Sequence, residues 1–314
     1  MPSIVTTFSL PPAALRLLQE VGTMHGPEGW EEALEEAEAL LALLTDRIDR
    51  DLLQKAPRLR IVANAVVGYE HVDLEACRER GIIVTNTPDV LTEATADLTW
   101  ALLLATVRQL PQAERSLRAG EFHGWGFWDY LGGDITGATL GIFGMGRIGK
   151  AVARRAASFG MHVRYASRSR LSAEEERTLG AEWTEWERLL TTSDILSLHA
   201  PLTPETHHIL DRAALRRMKP GSYLINTARG ALVDEAALVE VLREGPLAGA
   251  GLDVYEHEPE ITPGLLELEN VVLLPHIGSA ARETRTRMAT LAARNVYRVL
   301  SGQPPLTPVS GSGK

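Results

Sequence analysis

The feature that most constrains the fold is a set of three glycines near the middle of the chain. Gly144, Gly146 and Gly149 follow the apolar stretch ATLGIF and precede KAVARRAASFG, where apolar residues recur at helical spacing. Glycines between a buried strand and a helix permit a tight turn, close approach of an anion and close helix packing. The pattern predicts an α/β domain whose helix begins at the pyrophosphate of a dinucleotide; a glycine turn without a ligand is the alternative.

The strand expected next, HVRYAS, bears on which dinucleotide is bound. An acidic residue at its end would bind the 2′-hydroxyl of NAD, but the position holds Ser167, followed by Arg168, Ser169 and Arg170. Guanidinium groups bind a 2′-phosphate through charge-assisted hydrogen bonds, whereas a carboxylate would repel it. The sequence therefore favours NADP(H), with NAD(H) possible. The alternative is that these arginines are only solvent-exposed residues at the end of the strand and bind no ligand.

Almost half the chain precedes the glycines and has an α/β pattern of its own. Apolar runs alternate with helical patterns up to IIVTNT, and two long helical stretches, one broken by Pro111 and one near the end, could cross between domains. We therefore predict two Rossmann-like or flavodoxin-like α/β domains with parallel sheets. A nucleotide domain, 99–286, is inserted into a discontinuous substrate domain, 1–98 and 287–309, and 310–314 form a flexible tail.

Composition limits the class of protein. The 314 residues are 45% hydrophobic and carry a formal net charge of -9, without a dense basic run, which disfavours nucleic-acid and membrane partners. The single cysteine excludes a disulfide within the chain, and the N-terminus lacks the pattern of a signal peptide. The expectation is a cytoplasmic protein.

Several stretches together resemble one enzyme family. They are VVGYEHVD, NTPDVLTEATAD, GIFGMGRIGKAVA, HAPLTPETHHIL, INTARGALVDEAAL, GAGLDVYEHEPE and LLPHIGSA. Over essentially its full length the chain resembles the D-2-hydroxyacid dehydrogenases, and within them most of all the glyoxylate/hydroxypyruvate reductases. The resemblance implies NAD(P)H-dependent reduction of a small 2-oxo acid to the D-2-hydroxy acid, and a substrate domain built from both chain ends.

Three residues are the predicted catalytic set. Arg229 follows the strand SYLINT at the carboxyl edge of a parallel sheet, where its planar fork could bind the oxygens of a 2-oxo acid. His276 follows another buried strand and could exchange a proton with the substrate. Glu258, which precedes Pro259, resembles the family carboxylate that pairs with this histidine and favours its imidazolium form. A solvated arginine, a structural histidine and a surface carboxylate are the alternatives.

The resemblance also implies binding residues. Backbone amides around Val67 and Gly68 would hold the substrate carboxylate, and Trp125 and Trp128 would reach a partner subunit of a homodimer and wall its substrate pocket; packing within one chain is the alternative for the tryptophans. The implied cofactor-facing set is Thr95, Gly144, Gly146, Arg147, Ile148, Gly149, Ser167, Arg168, Ser169, His199, Ala200, Pro201, Thr206, Ala228, Asp253 and Gly278.

The pair His207-His208 lacks partners at metal-ligand spacing, so we interpret it as solvated helix surface and predict no metal site. The alternative functions are another D-2-hydroxyacid dehydrogenase and a nucleotide-sensing, corepressor-like binding protein. The presence of Arg229, Glu258 and His276 favours catalysis.

Overall fold

Strands and helices alternate from the start of the chain in the computed structural model, which describes residues 1–310. Contacts divide it into two units: residues 1–91 with the segment that begins at Ser279, and residues 92–278. Apart from Ser310, the predicted tail lies outside the described residues. Among those residues, no helix combines the length and apolar character needed to cross a membrane.

The first unit is built on five parallel strands in the order β2-β1-β3-β4-β5, which is the flavodoxin-like order. The long helix near the end of the chain, α11, packs on α1 and on strands β3 and β4. The elements are β1 (Ser3–Thr6), α1 (Pro12–Gln19), β2 (Thr23–His25), a 3₁₀ helix (Trp30–Glu36), β3 (Ala37–Ala42), α2 (Arg50–Lys55), β4 (Ile61–Asn64), α3 (Leu74–Glu79), β5 (Ile83–Thr85) and α11 (Arg282–Leu300).

The second unit is built on seven parallel strands in the order β12-β11-β10-β9-β6-β7-β8. This unit also has three 3₁₀ segments: Ala157–Phe159, which continues α6, and Gly230–Leu232 and Leu265–Glu267, which lie in its loops. Its main elements are α4 (Thr92–Val107), α5 (Leu110–Arg118), β6 (Thr139–Phe143), α6 (Arg147–Ala156), β7 (His162–Ala166), α7 (Ala173–Leu179), β8 (Ala181–Trp183), α8 (Trp186–Thr192), β9 (Ile195–Leu198), α9 (Arg212–Arg217), β10 (Tyr223–Asn226), α10 (Glu235–Glu244), β11 (Gly249–Leu252) and β12 (Val271–Leu273).

Local sequence explains where many of these helices begin. Helices α2, α3, α7, α9 and α10 each follow a residue whose side chain accepts a hydrogen bond from a backbone amide of the first turn. Such caps satisfy amides that have no partner within the helix. The capping residues are Asp49, Asp73, Ser172, Asp211 and Asp234.

The division by contacts differs from the predicted boundaries at 98/99 and 286/287. Helix α4 lies entirely in the second unit and α11 entirely in the first, because each helix packs along its length on the sheet of one unit. The predicted assignment of the two segments to substrate and nucleotide domains stays a prediction.

Candidate active site

The turn between β6 and α6 requires glycine at two of its three positions. Gly144 has a φ of +97°, and a Cβ there would lie 2.5 Å from the amide nitrogen of Ala200. A Cβ on Gly149 would lie 2.2 Å from the carbonyl oxygen of Gly144. Gly146 differs, because a Cβ there would meet no atom within 4 Å. The first and third glycines therefore serve packing, and the second borders open space.

This open space has the properties of a pyrophosphate site. Helix α6 begins at Arg147 without a side-chain cap, and Arg147 and Ile148 form its first turn. The turn lies between β7 and β9, the two neighbours of β6, where the strand order reverses. Dinucleotides bind at that point of doubly wound sheets, with the anion at the helix N-terminus. The residues present thus fit a nicotinamide dinucleotide.

The end of β7 carries the residues predicted to select the cofactor. The Ser167 hydroxyl donates to the carbonyl oxygen of Ser169 at 2.6 Å. Arg170 donates to both carboxylate oxygens of Glu176, at 2.8 and 2.9 Å, and lies over the ring of Trp183. Arg168 is exposed. Of the two arginines, Arg170 is therefore committed to an ion pair, and the role of Arg168 in cofactor choice stays a prediction.

The segment after β9 packs behind the glycine turn. The amide of His199 donates to the carbonyl of Phe143 at 2.7 Å, and its Nε2 lies 2.9 Å from the Ser197 hydroxyl. Burial lowers the pKa of His199 to about 3, so the ring is neutral at working pH. Thr206 donates to the carbonyl of Pro201 at 2.8 Å, which closes the following turn.

Asp253 connects the ends of β11 and β12. Its Oδ1 accepts from the amide of Ile277 at 2.7 Å and its Oδ2 from Gly278 at 2.8 Å. Burial raises the pKa of this carboxyl group. Thr95 of α4 lies against the same place, because a Cβ on Gly278 would fall 3.5 Å from its methyl group. Asp253 thus holds the loop that follows His276, and its contact with the cofactor stays a prediction.

Arg229 is held by a short loop after β10. The buried Asn226 donates from Nδ2 to the carbonyl of Arg229 at 2.9 Å, and its Oδ1 accepts from the amide of Ala228 at 3.0 Å. Arg229 itself donates from Nη1 to the carbonyl of Ala228 at 2.7 Å. Sequence reasoning missed Asn226; an asparagine at the end of a buried strand, where its side chain can bond the next backbone groups, was the available signal.

Glu258 and His276 form a close pair. The Nδ1 of His276 lies 2.8 Å from the Oε2 of Glu258, and the other oxygen of Glu258 accepts from the amide of Tyr255 at 3.0 Å. The side chains are 30% and 27% exposed, so both are reachable from solvent. His276 also has a φ of +52°, a backbone conformation uncommon for residues other than glycine. Such strain persists where the surrounding structure enforces it and is concentrated at functional sites.

Charges converge on Glu258. Burial acts to raise the pKa of this carboxyl group, but the hydrogen bonds from His276 and Tyr255 and the positive charges of His276 and Arg229 lower it below its ordinary value. The carboxylate therefore stays ionised. The structure brings all three predicted catalytic residues together at the edge of the sheet where the carboxyl ends of β10, β11 and β12 lie. This arrangement can bind an anionic carbonyl compound and exchange a proton with it.

Other predicted binding residues lie elsewhere. Val67 and Gly68 belong to the first unit, in the loop after β4, where the Val67 carbonyl accepts from Asn86 at 2.8 Å. Trp125 and Trp128 are 82% and 75% exposed in the loop after α5, so packing within the second unit does not cover them. Phe127 contacts both rings edge-on. The substrate-binding roles of these residues stay predictions.

The prediction for His207 and His208 is wrong in its secondary structure. Both lie in a turn before α9 rather than on a helix. The Nε2 of His208 lies 2.7 Å from Glu256, which is 48 residues away in the sequence. Local ligand spacing could not reveal this neighbour.

Comparison with known proteins agrees with the geometry. The family pattern described as "D-isomer specific 2-hydroxyacid dehydrogenase, NAD binding domain" matches residues 100–278. A glyoxylate reductase of Thermococcus litoralis is 50% identical over 278 residues, which cover 87% of this chain and 84% of that protein.

Solved structures show the same likeness. A protein of Thermus thermophilus superposes with a TM-score of 0.91 at 47% identity, with 98% of this chain and 99% of that chain covered. An NADPH-dependent glyoxylate/hydroxypyruvate reductase from Sinorhizobium meliloti, in complex with NADP and malonate, superposes with a TM-score of 0.88 at 36% identity, with coverage of 100% and 98%. The fold, the paired residues at the sheet edge and these matches lead to one conclusion: the chain belongs to the D-isomer specific 2-hydroxyacid dehydrogenase family.

Proposed function

We infer that the chain is an NAD(P)H-dependent glyoxylate/hydroxypyruvate reductase that converts a small 2-oxo acid to its D-2-hydroxy acid. The observation that carries this function is the 2.8 Å pair of His276 and Glu258 on the sheet that also carries the glycine turn. Relatives that are glyoxylate reductases, at about half identity over most of the chain, support the substrate class.

The residues divide the chemistry among themselves. When bound, the nicotinamide supplies the hydride that reduces the carbonyl carbon. Arg229 binds the carboxylate and the carbonyl oxygen through its planar fork, which polarises the carbonyl. Protonated His276 then donates a proton from Nε2 to that oxygen, so the products are the hydroxy acid and neutral imidazole.

Glu258 prepares His276 for this step. Its ionised carboxylate accepts from Nδ1–H, which assigns the tautomer and leaves Nε2 as the nitrogen that exchanges the proton. Because the amide of Tyr255 holds the other carboxylate oxygen, the pair keeps its orientation when the imidazole becomes neutral. Oxidation of the hydroxy acid uses the same groups in reverse.

One set of initial rates tests the function. Glyoxylate, hydroxypyruvate and pyruvate are offered with NADH and NADPH in parallel. A reductase gives saturable turnover with glyoxylate or hydroxypyruvate above that with pyruvate. Cofactor binding without turnover of any of them would instead support the corepressor-like alternative.

The cofactor preference rests on Arg168. The end of β7 has no acidic residue from Ser167 to Arg170, and Arg168 is exposed there. NADPH is therefore the preferred cofactor, and Arg168→Ala lowers the NADPH to NADH ratio of kcat/KM by at least about tenfold, since a charge-assisted bond contributes ~1.5 to 3 kcal/mol. Arg177→Ala, an equal charge change on helix α7, is the control. An unchanged ratio in Arg168→Ala would contradict this assignment.

The exposed rings after α5 favour a homodimer. Trp125, Phe127 and Trp128 are all more than half exposed and contact one another. Contiguous apolar surface of this kind marks an interface, and symmetric dimers are the commonest assembly. In the dimer this loop contacts the partner subunit, and Trp125 or Trp128 lines the substrate pocket of that subunit.

A further inference from the structure

Three side chains that the reductase chemistry does not use form a separate cluster in the second unit. His207, His208 and Glu256 each offer one ligand atom, and these atoms lie within 4.8 Å of one another. The two imidazole rings stack with centroids 4.0 Å apart, and the Nε2 of His208 lies 2.7 Å from the Oε1 of Glu256.

The backbone around the cluster is firmly held. The amide of His208 donates to the carbonyl of Ala231 at 2.9 Å, and His208 has a φ of +49°. The amide of Glu256 donates to the Oε1 of Glu235 at 2.7 Å, and Glu235 is buried. Two ligand-bearing positions are thus fixed by bonds from separate segments, one of them at a strained residue.

The charge balance of the cluster favours a cation. The Glu256 side chain is 15% exposed, and among the described residues its ion pairs are with His208 and, at 3.9 Å, His257. This carboxylate is therefore mostly shielded from water. Desolvated charges of this kind are normally paired or bind metals.

The donor set indicates which cation. Two imidazoles and one carboxylate suit Zn²⁺ and similar transition metals, whereas Mg²⁺ prefers oxygen ligands alone. Three protein ligands leave a coordination position for water, as in open zinc sites. His207 is exposed, which gives an ion access from solvent.

We propose that His207, His208 and Glu256 form a binding site for a transition-metal dication of the Zn²⁺ type. The ion replaces the hydrogen bond between His208 and Glu256 and ties the turn before α9 to the loop after β11. The site is independent of the proposed reductase chemistry, and its test does not depend on turnover.

Calorimetric titration of the full chain with ZnCl₂ tests the site. The protein is prepared without a polyhistidine tag and freed of metal with a chelator. One ion binds per chain, and MgCl₂ in place of ZnCl₂ gives no binding. His207→Ala and Glu256→Gln each weaken Zn²⁺ binding by at least about tenfold, because even residues outside the ligand shell alter metal affinity by that factor.

Matched variants and a second readout keep the result interpretable. His162→Ala removes an exposed imidazole from β7 and leaves Zn²⁺ affinity unchanged. Equal melting temperatures of wild type and His207→Ala in chelator establish that the variant is folded. With CoCl₂, wild type gives visible absorption bands that His207→Ala lacks. The proposal is overturned if His207→Ala binds Zn²⁺ as tightly as wild type does, if His162→Ala loses as much Zn²⁺ affinity as His207→Ala does, or if wild type does not bind Zn²⁺. The cluster would then contain a hydrogen-bonded pair only.

Discussion

At the scale of single residues, the carboxylate of Glu258 sets the pH range of the proposed reaction. Because the pKa of Glu258 is lowered by its bonds to His276 and Tyr255, it stays ionised well into the acidic range. Reduction needs the imidazolium form of His276, so kcat/KM for glyoxylate decreases as pH rises and that form is lost.

Glu258→Gln tests this dependence without removing the side chain. The amide oxygen can still accept from Tyr255, but the negative charge is gone. The alkaline limb of the pH profile therefore moves to lower pH, because the neutral amide no longer stabilises a positive charge on the neighbouring ring. Glu260→Gln, an exposed neighbour in the same loop, is the control. Superimposable profiles of Glu258→Gln and wild type would contradict the pairing.

His199 gives a second prediction at this scale, on stability. Its pKa falls from 6.5 to about 3 on folding because the ring is buried. Between these values the unfolded chain binds a proton that the folded chain excludes, so stability is lost as pH falls below about 6.5. His199→Gln lacks this linkage, and its free energy of unfolding therefore declines less steeply, by up to ~1.4 kcal/mol per pH unit.

Urea unfolding at several pH values between about 7 and 5 measures the difference. Both proteins share every other titrating group, so the difference in slope reports His199 alone. Equal slopes would mean that the ring takes up a proton in the folded protein as readily as in the unfolded chain, which would remove the argument that it is neutral beside the glycine turn.

At the scale of elements, the turn between β6 and α6 contains glycines with different roles, some needed for the fold and one for binding. Gly146 has a φ of -77° and borders open space, so a side chain there is compatible with the fold. Gly146→Val therefore keeps its melting temperature but weakens NADPH binding by at least about tenfold, or ~1.4 kcal/mol. Fluorescence titration with NADPH measures the affinity.

Gly149→Ala is the counterpart in the same turn. Its Cβ would collide with the carbonyl of Gly144, so this variant loses stability as well as binding. If Gly146→Val bound NADPH as tightly as wild type, the open space at the helix start would not be the pyrophosphate site.

The elements also show which structure can be predicted from sequence. Strands β4, β9 and β10 appear as mostly apolar runs, IVAN, ILSL and YLIN, because both faces of a parallel sheet are covered. Strands β2 and β8 escaped prediction because TMH and AEW are three-residue edge strands with no sustained pattern. Pro111 correctly indicated a break, since α5 begins one residue before it, after a left-handed Gln109.

Predictability is lower where a site depends on distant neighbours. Arg229, His276 and the glycines could be found because each lies within six residues after a strand, at the same edge of the sheet. The bonds that Asp253 accepts from Ile277 and Gly278, and the bond between His208 and Glu256, join residues on different loops. No local sequence pattern encodes such contacts. Only the structure therefore shows how Asp253 holds the loop after His276, and that His207 and His208 lie beside Glu256.

At the scale of the whole molecule, the aromatic loop predicts assembly. Trp125→Ser with Trp128→Ser removes the two most exposed rings of the patch, so the double variant sediments as a monomer at a concentration where wild type is a dimer. Analytical ultracentrifugation distinguishes the two. Leu266→Ser, which changes a leucine that is 70% exposed outside this loop, leaves the dimer intact. A wild-type monomer, or a double variant that stays dimeric, would refute the assignment of this surface.

The most direct test of the account compares His276→Ala with wild type in two measurements. Single-turnover reduction of glyoxylate slows by ~10² to 10⁴, because the proton donor is lost. NADPH affinity stays close to wild type, because His276 lies at the end of β12, away from the turn after β6 in the strand order. Reduction at a near-normal rate with normal cofactor binding would contradict the central claim that His276, tuned by Glu258, protonates the substrate.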